Sequence, residues 1–206
     1  MHHLQFVVVN HPNIAELITA LAAAAAAVAA WAGLNAWRNQ LHGNKDHEIA
    51  WKYLEATLKL RNAINNDVRN PAIFPGESQS AAEEFYGKDK MQSELTKNPN
   101  AWQVAVYSLR WREVVKARKE LNDALVQAEI WWGKKAVGLE KDLNACIGIL
   151  YVNMKNYVEP DRGLRWDDDV LYYIESDEES EFNKKLNAAI KKMDDFARPF
   201  LRASKS

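Results

Sequence analysis

Hydrophobic positions along this chain follow two rhythms, one continuous and one helical. From Leu17 to Trp37 no residue is charged, and the run Ala22 to Ala27 sits among Leu17, Ile18, Leu21, Val28, Trp31 and Leu34. An α-helix rises about 1.5 Å per residue, so about 20 apolar residues cross a hydrocarbon core of roughly 30 Å. The pattern predicts a transmembrane anchor over residues 14–38, marked by Leu17, Ala24, Val28, Trp31, Trp37 and Arg38. Alanine gains little on leaving water, so insertion is expected to be marginal. The competing reading is a soluble alanine-rich helix buried inside the fold. Against it, a soluble helix of this length shows a polar face, and here about six turns pass without a charge.

Beyond the anchor the apolar residues recur every three or four positions. Ile49, Tyr53, Ala56, Leu60 and Ile64 predict an amphipathic helix over 46–69, after a loosening at His42-Gly43-Asn44. Asn70-Pro71 ends it, because a residue before proline is pushed out of the α region. Pro75-Gly76, Ser78, Ser80 and Gly87 mark 70–98 as a loop with one short helix around Ser80 to Tyr86. Asn98-Pro99 starts the next helix. From 99 to 157 two stripes follow: Val104, Tyr107, Trp111, Val114, Arg118, Leu121 and Leu125, then Leu139, Leu143, Ile147, Leu150 and Met154. Gly133 and Gly138 lie between them. One long helix bent at the glycines is narrowly preferred over two antiparallel arms, since an interior glycine costs only about 1 kcal/mol.

An acidic connector covers 159–176, and from Glu159 to Glu181 ten acidic residues face only Arg162 and Arg165, a local net of −8. Ser176 and Glu179 stand in capping-box spacing. Phe182, Leu186, Ile190, Met193 and Phe196 give the last helix, 177–198, an apolar face that Pro199 closes. Such stripes can be buried only against one another. The expected fold is all-α: an N-terminal transmembrane helix, then an elongated three- to four-helix antiparallel bundle with one long central helix. Residues 1–13 would form a short outer tail and 39–206 a cytoplasmic domain.

Charge supplies the direction. None of the 27 Lys and Arg residues precedes the span, whereas Arg38, Lys45 and Lys52 follow it closely. The positive-inside rule therefore leaves the amino terminus outside and the carboxy-terminal domain in the cytoplasm. Met1 to Asn13 has no Lys or Arg, which argues for an uncleaved anchor over a signal peptide. The net charge of −1 gives no global attraction to nucleic acid. A single cysteine, Cys146, excludes an intramolecular disulfide and a cysteine zinc cluster.

Candidate chemistry is sparse. His42 and His47 are five apart with Glu48 beside them, and paired helical ligands are four apart with a glutamate between them. Asp167, Asp168 and Asp169 are adjacent, unlike the spaced ligands of a calcium loop. No phosphate loop, nucleophile elbow or kinase signature occurs, so no catalytic residue, cofactor, metal or small-molecule substrate is expected. Two features suggest surfaces. Arg110, Arg112, Lys116, Arg118 and Lys119 are opposed only by Glu113, as suits internal or solvated pairing, lipid headgroups or, least of all, nucleic acid. Trp131 and Trp132, with Trp102 and Trp111 on the same predicted helix, suit a core or a partner-binding groove. In the anchor, Ala29-x-x-x-Gly33 permits close helix contact.

The stretch Gly33-Leu-Asn-Ala-Trp-Arg-Asn-Gln-Leu-His-Gly-Asn-Lys45, with Leu58-Lys-Leu-Arg-Asn-Ala-Ile64 and Val68-Arg-Asn-Pro71, resembles a widespread family of small bacterial proteins of unknown function. Ala128-Glu-Ile-Trp-Trp-Gly133 and Ala197-Arg-Pro-Phe-Leu-Arg202 agree with it in order and position. The resemblance implies one amino-terminal membrane helix, a helical cytoplasmic part and a bacterial or phage-related origin; it implies no activity. Three functions are then open: a non-enzymatic inner-membrane protein that binds a protein partner or self-assembles, a membrane effector of bacterial or phage conflict that clusters its anchors and permeabilises the bilayer, and a soluble regulator with the alanine helix buried.

Overall fold

The computed structural model describes residues 14–159, 165–173 and 180–202. Among them the protein is all-α, with no strand: α1 (Ile14–Asn62), a π-helical turn (Ala63–Val68), α2 (Pro75–Tyr86), α3 (Lys88–Lys97), α4 (Ala101–Trp132), α5 (Lys134–Gly138), α6 (Glu140–Val158), α7 (Asp168–Leu171) and α8 (Glu181–Arg202). The chain divides into two units, Met1–Asn44 and Lys45–Ser206.

In the first unit the apolar stretch is helical and its side chains are exposed, Leu17 at 56%, Val28 at 66% and Trp31 at 68%. None of the most apolar window is buried. Thr19, the polar residue near its start, donates its hydroxyl to the Ala15 carbonyl at 2.8 Å, which satisfies that group within the helix.

The second unit is an antiparallel four-helix bundle of α1 from Lys45 onward, α4, α6 and α8. Register is legible from side-chain pairs. Asp46 meets Trp131 and Trp132, Lys59 meets Glu120, and the Asn70 carbonyl meets Arg110, so α4 descends as α1 rises. Trp111 packs on Tyr151 and Tyr107 on Tyr157, so α6 rises again. Lys192 pairs with Asp142, and Phe196 lies against Tyr53, so α8 returns to the end where the chain enters from residue 44. Tyr53, Leu60, Ile64, Leu121, Leu143, Leu150, Leu186 and Met193 fill the middle, each below 2% exposed. Each of these eight lies on an expected stripe, and the stripes together supply about half of the buried core. Arg118, placed on a stripe by the sequence, is exposed instead.

Four boundaries differ from expectation. The helix does not loosen at His42-Gly43-Asn44, and 46–69 is the end of α1 plus the π turn. The span 99–157 is not one helix, because Gly133 adopts φ +79°, ψ −175°, which stops α4 and starts α5. Only glycine reaches that conformation without strain. The expected loop 70–98 holds α2 and α3, the former starting with Pro75 in its first turn and both sharing Gly87 at φ +80° as boundary. Ala81 and Ala82 of α2 pack with Ala105 and Val106 of α4 as a small second core. Finally, α8 runs through Pro199 to Arg202, and α7 interrupts the acidic connector. The capping pair Ser176 and Glu179 lies outside the described residues, as does part of that connector.

Candidate functional site

Two arginines organise the end of the bundle far from Lys45. The π turn carries one extra residue in its helical turn, and immediately after it Arg69 is fully buried. Its Nε donates to the Val170 carbonyl at 2.7 Å, Nη1 to Asn65 Oδ1 at 3.1 Å and Asn183 Oδ1 at 2.7 Å, and Nη2 to the Asp169 and Tyr172 carbonyls at 2.8 and 3.0 Å. A guanidinium has five N–H donors, and these bonds use that full capacity. Phe182 faces the cation at 4.6 Å. The group therefore ties the π turn, α7 and α8 together as a structural hub.

Arg110 is the second. Its Nε and Nη2 donate to Glu77 Oε1 and Oε2 at 2.7 and 2.9 Å, Nη1 to the Asn70 carbonyl at 2.6 Å, and Nη2 also to the Ala72 carbonyl at 2.7 Å. This corrects the basic-surface expectation at that position: Arg110 is buried and clamps α2 onto α4. Its partner is Glu77 of α2, not the acidic connector. The guanidinium beside Glu77 holds that carboxyl below the ordinary glutamate range, outweighing an opposing effect of burial. Arg112, Lys116, Arg118 and Lys119 are exposed. Of these, Arg112 pairs with Glu84 and Lys116 with Glu113.

Beside them a groove of about 380 Å³ runs between the end of α1 and α4, lined by Lys59, Asn66, Asp67, Glu113, Lys116 and Glu120 among others. Lys59 closes across it onto Glu120 at 3.1 Å. Burial, with Glu113 adding to it and Arg110 opposing, pushes the Asp67 carboxyl up. Its lysines are matched to neighbouring carboxylates, which leaves no convergent set aimed at one ligand. Among the described residues no three His, Cys, Asp or Glu side chains gather as a metal site. Cys146 is buried in the core, where burial raises its thiol pKa.

The opposite end gathers aromatic side chains. Asp46 Oδ1 accepts from both indoles, Trp131 Nε1 at 2.7 Å and Trp132 Nε1 at 2.9 Å. Trp132 stacks on Phe200 at 4.5 Å and meets Tyr53 and Phe196 edge-on. The Tyr53 hydroxyl donates to the Ala136 carbonyl at 3.2 Å. Thus Trp132 belongs to the core, while Trp131 is 39% exposed at the rim. Next to Asp46, Lys52 and then Lys45 hold the Glu48 carboxyl down to about 2. The sequence carried a signal for the first arginine's neighbour too: Arg110 stands four before Val114 and seven before Ala117, on the buried face of α4. Arg69 carried none beyond its place before Asn70-Pro71.

In the first unit Ala24, Ala29 and Trp37 are exposed, as are Gly33 and Arg38. A Cβ added at Gly33 would meet nothing within 4 Å. No family model, no curated protein and no solved structure matches the chain.

Proposed function

We propose that the protein is a non-enzymatic, single-pass protein of the bacterial inner membrane, with its amino terminus outside and its helical domain in the cytoplasm, where it binds a protein partner or assembles with itself. The observation that carries this reading is the exposure of the apolar side chains of the uncharged helix, together with a bundle core that begins, among the described residues, at Ile49. Large apolar side chains such as Ile18, Leu21 and Val28 are each more than half exposed. That surface needs cover from lipid or another chain. The basic border of Arg38, Lys45 and Lys52 supports the orientation. The bundle's two buried arginines are spent on structural bonds, which supports a binding role over catalysis.

Alkaline carbonate extraction of membranes holding the full chain tests the anchor. Retention in the pellet is expected, and release into the supernatant overturns it. Crosslinking in the same membranes should trap a dimer or a discrete heteromer; monomer alone at every crosslinker length would remove the assembly part of the reading.

A further inference from the structure

The antiparallel register brings one unusual edge to the end of the bundle where Lys45 begins. Ile130 is 80% exposed there, the highest value of any large apolar side chain in the bundle's described residues. Beside it Trp131 is 39% exposed, with its indole N–H held by Asp46, so the ring is fixed at the rim. The left-handed turn at Gly133 follows, and then Lys134 and Lys135, both exposed and neither in an ion pair among the described residues. An exposed isoleucine, a rim tryptophan and two solvated lysines are the chemistry that membrane interfaces take up.

Chain length says how far this edge can lie from a bilayer. Nine positions separate Trp37 from Asp46, which is at most about 30 Å of fully extended chain and about 14 Å of helix. Asp46 in turn holds Trp131 directly. The expected headgroup cluster at Arg110 to Lys119 is placed differently. Glu120 lies opposite Lys59, about 21 Å along α1 from Lys45. That is more than two Debye lengths of about 8 Å in physiological salt. Those charges are therefore screened from a surface at the Lys45 end.

We infer that Ile130, Trp131, Lys134 and Lys135 seat on the anionic headgroup surface of the bilayer, so that the bundle is held at its end as well as by its anchor. This rests on the membrane reading above. The partner is a lipid surface rather than a protein, because the edge pairs a small apolar rim with two lysines in no ion pair among the described residues, and Asp46, which holds it, lies nine positions from Trp37 in sequence.

The test uses the full chain reconstituted in vesicles. Ile130→Cys is labelled with an environment-sensitive fluorophore, and Ser93→Cys on the exposed face of α3 serves as the remote control. The native chain is the blank, since Cys146 is 4% exposed. In phosphatidylcholine–phosphatidylglycerol vesicles carrying a headgroup-depth spin-labelled lipid, quenching at 130 should exceed that at 93 by about threefold or more. Reversing Lys134→Glu and Lys135→Glu together should remove that excess, and pure phosphatidylcholine should lower it. Equal quenching at both positions in a chain that floats with the vesicles and resists carbonate overturns the inference while leaving the anchor standing. So does an excess indifferent to the double reversal, which would point to a protein-like apolar contact. A chain that does not float overturns both.

Discussion

Arg110 and Glu77 meet through two parallel hydrogen bonds of 2.7 and 2.9 Å across 33 positions of sequence. The arginine side chain is 9% exposed and the glutamate 33%. Because the same guanidinium also holds two backbone carbonyls between the π turn and α2, it fixes the loop path and the docking of α2 together. Replacing Arg110→Ala should cost about 2–4 kcal/mol, since it strands a partly buried carboxylate and two carbonyls. Arg112→Ala removes an exposed pair with Glu84 and should cost less than about 0.5 kcal/mol. Urea midpoints of the two variants check the contrast.

The same pair predicts an acid sensitivity. Glu77 is held below its ordinary range in the folded chain, so between its folded and unfolded pKa the unfolded chain binds more protons. Its stabilising contribution is fully present above the unfolded glutamate value and is lost as pH falls through the lower folded one. The protection factors of the α2 amides, corrected for the intrinsic exchange rate, should therefore fall on acidification through that window before those of α6 do. Glu77→Gln should show no such pH-dependent step.

Gly133 and Gly138 separate two effects the sequence could not. Both sit between apolar stripes, and helical periodicity is blind to the sign of φ. A Cβ would meet nothing within 4 Å at either glycine, but Gly133 has φ +79° and Gly138 is helical. Gly133→Ala should cost about 1–3 kcal/mol of backbone strain. Gly138→Ala should stabilise by about 0.5–1 kcal/mol. Thermal unfolding monitored by circular dichroism reads both.

The legible part of the fold was what periodicity can report. Leu121, Leu143, Ile147, Leu150, Leu186 and Met193 were placed on buried faces from spacing alone, and all are buried. Helix α3 was missed and α2 was read only over its second half, Ser80 to Tyr86, because α2 buries only Ala81 and Ala82 and α3 buries nothing, too little apolar surface to print a stripe. Their signals were local ones, Pro75 at a first turn with Glu77 behind it. Arg69 was missed for another reason. A buried guanidinium and a solvated one have the same letter, and only the long-range partners, Val170 and Asn183 for Arg69, distinguish them.

Arg69→Lys tests that distinction. Lysine has three donors and no planar fork, so it cannot reproduce five bonds to the π turn, the α7 segment and α8. A loss of about 2–4 kcal/mol is expected. The Tyr173 amide, which donates to the Arg69 carbonyl at 2.8 Å, should lose its exchange protection before the amides of the bundle's middle do. Retained protection would mean that the connector is held by something other than this side chain.

Val28→Lys addresses the anchor, because Val28 is near the centre of the uncharged run and 66% exposed. A lysine at the middle of a span costs about 2.5–3.5 kcal/mol on the insertion scale. A leucine-rich helix absorbs that penalty, but the run Ala22 to Ala27 contributes little apolar area to offset it. Insertion should therefore fail in most chains, and carbonate should release them, whereas Val28→Leu should be retained at least as well as the native chain. Among the described residues the bundle's core begins at Ile49, so the released variant should keep the native near-ultraviolet signature of its aromatic cluster. Release with that signature intact assigns the defect to insertion; release with it lost assigns it to folding, and retention of Val28→Lys would count against a hydrocarbon environment for this segment.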